Sequence, residues 1–164
     1  MARRARRGSA ELEELDLGHL ALFVGMRVNA LVLEQVHAAG FPGLRQGHGY
    51  VVQHLLGGPR TISELAELLG VTQQAASKTV AELRTLGIVE AAPSDDARTR
   101  RIRLSERGHA AVDTTRAIRA EFETRFRRSQ GAQVIDETRR VLAAVLESLG
   151  GAETVRRRRV REPR

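Results

Sequence analysis

The run SDDARTRRIRLSERG, residues 94–108, gathers most of the chemistry this sequence offers. Arg98, Arg100, Arg101, Arg103 and Arg107 surround one short alternation, Ile102 and Leu104, with Asp95 and Asp96 just upstream. Guanidinium groups are permanently charged, weakly hydrated forks, suited to phosphate oxygens and to electronegative grooves. Such a run is either a solvated loop or a basic hairpin aimed at a polyanion, and the elements around it decide between the two.

Other chemistry is scarce. The histidines His19, His37, His48, His54 and His109 are scattered. His48 and His54, six apart, would stand about 120° from each other around a helix. There is no Ser/His/Asp arrangement, phosphate loop or HExxH motif. Cysteine is absent, which excludes disulfides, thiolate metal sites and a cysteine redox sensor. The sequence therefore argues against an enzyme and calls for no cofactor or metal.

The net charge of +7 lies at the ends. Residues 1–9 carry four Arg and no acid, residues 152–164 carry six Arg and two Glu, and the 142 residues between sum to −1. Any basic patch on the folded body must then be local. The first residues resemble the basic start of a signal peptide, but the acidic ELEELD that follows cannot be its apolar core. The apolar stretch 17–28 reads as a buried helix too short to span a bilayer. A cytoplasmic protein with no membrane partner is expected.

The basic run needs a scaffold. Residues 1–10 and 151–164 read as disordered basic arms, because like charges repel and apolar periodicity is missing. Apolar spacing predicts a long helix over 11–39, apolar on most of its surface and so wanting burial on more than one side. A second helix is expected over 44–56, weakened by Gly47 and Gly49. In TISELAELLG, Thr61 and Glu64 have capping-box spacing and Gly70 suits a left-handed helix end. Thr72 can cap the next helix, 73–86. Two short capped helices joined by a tight turn make a helix-turn-helix. Strands at 88–89 and 101–104 would follow, joined by the loop 93–99, and then helices over 105–128 and 132–149. The expected fold is mainly α with a small β-wing: a winged helix-turn-helix over about 44–104, flanked by long dimerisation helices at about 11–40 and 105–149. Residues 11–150 would form a single domain.

On the second helix of the pair, Ala76, Val80 and Leu83 share one narrow sector and should pack inward. The opposite face carries Gln74, Lys78, Ala81 and Thr85, with Ser77 at its edge and Gln73 near the N-terminus. Gln pairs bidentately with adenine, Ser reaches base or phosphate, and Lys favours guanine or phosphate. Lys78 is the chain's only lysine, against 26 arginines.

The run LAELLGVTQQAASKTVAELRTLGIVE, followed by DDARTRRIRLSERG, resembles the MarR family of bacterial transcriptional regulators. Motifs carry the likeness over residues 60–110 and helix order carries it over 11–150. Its most specific part is Asp96-x-Arg98 ahead of Leu104-Ser105-x-x-Gly108, with Ser105 where the family usually has Thr. The resemblance implies that Arg98 enters the minor groove and that Asp96 braces the wing. It implies a major-groove role for Thr72, Gln73, Gln74, Ser77 and Lys78, and a homodimer formed by interdigitating terminal helices. Arg100, Arg101 and Arg103 could add phosphate contacts, which position without reading sequence. A dimer would set two recognition helices roughly 34 Å apart on a pseudo-palindromic operator in double-stranded DNA.

The implied function is a sequence-specific transcriptional regulator, a dimeric repressor released by a small-molecule, often aromatic, effector. Phe23, Arg27, His48, Tyr50 and His54 lie on helices that would line an effector pocket, without any one standing out as a ligand contact. The alternative is a nonspecific nucleic-acid-coating protein acting through its Arg-rich tails. Against it, the chain lacks an aromatic platform for stacking single strands: Tyr50 is the only tyrosine and the four Phe sit at core spacing.

Overall fold

A computed structural model describes residues 11–93 and 100–158. The chain is mainly helical, with one two-stranded antiparallel sheet. Helix α1 spans Leu17–Ala38, α2 His48–Leu55, α3 Ile62–Leu69 and α4 Gln73–Thr85. Strands β1, Val89–Ala91, and β2, Ile102–Leu104, follow, then α5 Glu106–Gln130, α6 Ala132–Ser148 and α7 Ala152–Arg156.

The first helix departs from the 11–39 expectation. Residues 11–13 form a separate helical turn, and α1 restarts at Leu17 because Asp16 caps it, accepting the His19 amide at 3.1 Å. An aspartate before an apolar run is a strong helix start even when apolar residues lie on both sides. Nor is α1 a wholly buried helix: Val32 and Val36 are buried, whereas Leu17, Leu22, Phe23, Val24 and Met26 are more than half exposed. Its 22 residues and window hydropathy of 1.4 also make it long and apolar enough to cross a membrane, contrary to the shorter reading of 17–28. Its C-terminal half instead joins the protein core.

Helix α2 begins four residues later than expected. Residues 45–49 first make tight i→i+3 turns, His48 N–H to Arg45 O at 3.0 Å and Gly49 N–H to Gln46 O at 3.1 Å. The hairpin is short and pairs Val89 with Leu104, Glu90 with Arg103 and Ala91 with Ile102. Arg60 adds an unexpected third edge: its N–H and C=O both bond Ile102, at 2.9 and 2.7 Å. A single paired residue leaves no alternation for a sequence reading to detect.

The tail differs too. Where disorder was expected from residue 151, α7 forms, turned back by Gly150 at φ +76°. Arg156 pairs with Glu147 at 2.7 Å, and Arg157 pairs with Glu153. Those two acids offset the repulsion on which the disorder argument rested.

One core joins α1–α5 and both strands, with Val36, Val51, Leu65, Leu83 and Ile88 essentially inaccessible. Each such side chain contributes on the order of 1.5–3 kcal/mol by leaving water. The α5–α6 corner is polar: Arg127 grips Asp136 and Glu123, and Arg139 bridges the same two acids.

Acid should loosen this fold. Thr61's backbone N–H lowers the Glu64 carboxyl, Arg139 and Arg127 lower Glu123, and Arg127 lowers Asp136, all below the ordinary carboxylate value. Their stabilisation is complete above about 4.5, the unfolded value, and is lost as pH falls through the depressed folded values. Burial likewise lowers His54, so the unfolded chain binds that proton first and stability declines from about 6.5 downward. The melting temperature is expected to fall monotonically from pH 7 to pH 3, with the first loss between pH 7 and pH 5. A flat profile there would show that His54 titrates alike in both states.

Candidate nucleic-acid interface

Local sequence builds the α3–α4 pair. Thr61 and Glu64 close a reciprocal capping box: Thr61 N–H donates to Glu64 Oε2 at 2.6 Å, and Glu64 N–H donates to Thr61 Oγ1 at 3.2 Å. Gly70, at φ +66°, ends α3 in the left-handed conformation. Thr72 then caps α4, accepting the Ala75 amide at 3.2 Å. A longer tie follows, in which Gln73 Nε2 donates to Ser63 Oγ at 2.7 Å and fixes the start of α4 against α3.

Ala76, Val80 and Leu83 are buried and seat α4 on the core. Gln74, Ser77, Lys78, Ala81 and Thr85 form an exposed strip opposite them, with Thr72 and Gln73 exposed at its N-terminal end. Thr85 turns its hydroxyl back onto Ala81 O at 3.1 Å, which leaves the free polar groups of the strip in its N-terminal half.

The wing's arginines divide. Arg103 crosses the hairpin to Glu90, with Nε 2.8 Å from Oε1. Arg101 donates to Pro59 O at 3.3 Å and lies 3.8 Å from Glu64. These two brace the hairpin's base. Arg100 is exposed at the edge of the described wing. Asp96 and Arg98 lie outside the described residues.

The Leu104-Ser105-x-x-Gly108 motif acquires a physical account. Leu104 is buried, and Ser105 caps α5 by accepting the Gly108 amide at 3.0 Å. Its hydroxyl contacts Gly87 O and Ile88 O at 2.5 and 3.1 Å, and its N–H donates to Ile88 O at 3.0 Å. Gly108 leaves room for that same Ile88 carbonyl. The motif welds the wing's exit to the root of α5. Arg107, to which the sequence assigned no separate role, completes the joint. It donates to Leu86 O at 3.2 Å and Gly40 O at 2.6 Å, and its guanidinium lies 4.9 Å from the Phe41 ring centre.

Behind α4, a cavity of about 190 Å³ opens between α1, α2 and α5. Of the five residues placed on pocket-lining helices, His48 alone lines it. His48 and Arg45 both reach Glu82 on α4, and this cluster went unseen in the sequence. His48 first, then Arg45, hold the Glu82 carboxyl below its ordinary range. No group of three His, Asp or Glu side chains among the described residues is placed to hold a metal ion.

Residues 42–99 match the model of the MarR family, a segment that runs from the turn before α2 to the wing. No curated protein matches the chain by sequence. Solved structures resemble it over most of its length. RV1404 from Mycobacterium tuberculosis is 21% identical with a TM-score of 0.66, over 82% of this chain and 94% of that one. A cysteine-to-serine mutant of MarR from E. coli is 20% identical with a TM-score of 0.60, over 80% and 97%. A mutant of MepR from S. aureus, bound to an oligodeoxyribonucleotide, is 16% identical with a TM-score of 0.60, over 83% and 99%. Residues 42–99 are thus similar to the MarR family, and the chain as a whole has the fold of these solved structures.

Proposed function

We propose that the protein is a cytoplasmic, homodimeric, sequence-specific repressor that binds a pseudo-palindromic operator in double-stranded DNA and is released by a small molecule. The exposed strip Gln73–Gln74–Ser77–Lys78, beside a basic hairpin, carries this reading. Short hydrogen-bonding side chains on a rigidly capped helix suit the major groove, whose base edges carry a distinct donor and acceptor code. Arg98 would follow the minor groove, while Arg100 meets phosphate. Arg101 and Arg103 would reach phosphate only by leaving Glu64 and Glu90, so their first task is to hold the wing's base.

A second copy is the expected cover for the terminal helices. Helix α6 has no buried residue, and Val134, Val141, Leu142, Leu146 and Leu149 are exposed along it. Leu17, at the start of α1, shares a groove with Val134, Val141 and Leu142, so the two apolar faces are continuous. An apolar surface of that extent marks an interaction site. The cavity behind α4 is the expected effector site.

The test is duplex binding by the full chain, with operators first selected from a random pool. Lys78→Ala is expected to cost about 1–3 kcal/mol on the selected sequence, as loss of a base contact would. Arg98→Ala should weaken binding and relax preference where the minor groove is narrow. Selection of no preferred sequence, or affinity unchanged in both variants across a salt series, would overturn the assignment. Removing residues 1–9 and 159–164 separates the alternative, because a coating protein then loses binding whereas a reader keeps its preference.

A further inference from the structure

Two residues at the N-terminal end of the α4 strip are already engaged within the protein. Thr72 uses its hydroxyl oxygen to cap α4, accepting the Ala75 amide at 3.2 Å. Gln73, the first residue of α4, turns its amide nitrogen toward α3 and donates from Nε2 to Ser63 Oγ at 2.7 Å. Ser63 stands in the first turn of α3, which the Thr61–Glu64 capping box and the buried Leu65 and Leu69 hold in place. Besides holding α4 to α3, this bond sets which way the Gln73 amide faces.

That direction matters because an amide carries a donor at one end and an acceptor at the other. A half-turn about the terminal bond exchanges the two, so a free glutamine can offer either end to a base edge. With Nε2 anchored on Ser63, the exchange is closed. Oε1 is left free, and it meets no donor among the described residues. In the major groove, the exocyclic amines of adenine and cytosine donate, whereas guanine O6 and N7 and thymine O4 accept.

We propose that Ser63 is a positioning residue for base recognition. It holds Gln73 so that Oε1 accepts from the exocyclic amine of an adenine or a cytosine, and it prevents the amide from turning to donate to guanine or thymine. This role rests on α4 being the DNA-reading helix, and it makes α3 part of the specificity of α4. Loss of the tie removes discrimination more than affinity, because a freed amide still finds a partner on every base pair.

The experiment uses the full chain and its operator, selected from a random duplex pool. Gln73→Ala locates the base pair that Gln73 reads, as the position whose preference is lost. At that pair, deleting the amine, with purine for adenine or 2-pyrimidinone for cytosine, should weaken wild-type binding about fivefold or more. Gln73→Ala should bind the two duplexes equally. Ser63→Ala, at an exposed position, should keep its melting temperature and most of its affinity. It should lose discrimination among the four pairs at that position and at no other. Ser63→Thr, which keeps the hydroxyl, should retain the discrimination. No position that depends on Gln73, unchanged discrimination in Ser63→Ala, an equal loss in Ser63→Thr, or an amine deletion felt equally by Gln73→Ala overturns the role. A pool that yields no preferred sequence overturns the DNA reading together with it. A preferred sequence combined with any of those outcomes removes the role of Ser63 alone.

Discussion

Gly108→Ala lowers the melting temperature by roughly 4–12 °C, the shift that corresponds to about 2–3 kcal/mol for a chain of this size. The reason is room and not backbone conformation, since Gly108 lies within helix α5. A Cβ there would stand 2.1 Å from Ile88 O, 3.2 Å from Ile88 C and 3.3 Å from Leu104 Cδ2. The nearest atom is backbone, and Ile88 is itself 1% exposed, so nothing nearby can rotate aside. Helix α5 would have to lift off the Gly87–Ile88 backbone that leads into β1, breaking the Ser105 contacts to both residues on the way. Ser105→Ala, which removes the cap without adding bulk, should cost less, about 1 kcal/mol. Scanning calorimetry orders the two variants, and equal losses would show that the motif acts through the cap alone.

Replacing Leu142 and Leu146 together by Glu should convert the protein to monomers and reduce affinity for a two-half-site operator by about a hundredfold or more. Both residues are 38% exposed on a helix that buries nothing of its own. Two carboxylates facing a second copy would each have to leave water without a partner, which costs more than the apolar contacts return. Helix α6 contributes no residue to the core, so the winged helix keeps its packing and each monomer should still bind a single half-site weakly. Light scattering at micromolar concentration and duplex titration read the two effects independently. A double variant that remains dimeric would place the interface elsewhere.

The parts of this fold legible in the sequence are those set by neighbours a few residues apart. Thr61, Glu64, Gly70 and Thr72 declare the α3–α4 pair by capping chemistry, and Ala76, Val80 and Leu83 give its inward face by spacing alone. Asp16 was readable in principle, but the apolar residues on either side of it suggested one continuous helix. Longer ties had no local signature. His48 and Glu82 are 34 residues apart, and Arg107 reaches 67 residues back to Gly40. Counting charge misled at the C-terminus, where Glu147 and Glu153 each hold an arginine that the tally treated as repelling its neighbours. In the wing, Arg101 and Arg103 looked like their neighbours in sequence; hairpin register sets Arg103 opposite Glu90, and the packing of α3 brings Glu64 to Arg101.

Arg107 has a mechanical consequence. By binding the end of α4, the turn after α1 and the face of Phe41, it makes the root of α5 and α4 a single rigid piece. The 25 residues of α5 extend about 37 Å from that piece. A rotation of about 5° at the far end swings the root by roughly 3 Å, close to the rise of one base pair. The long helix is therefore a lever with its load clamped on, and in the proposed dimer an angle set between subunits would reach DNA as spacing.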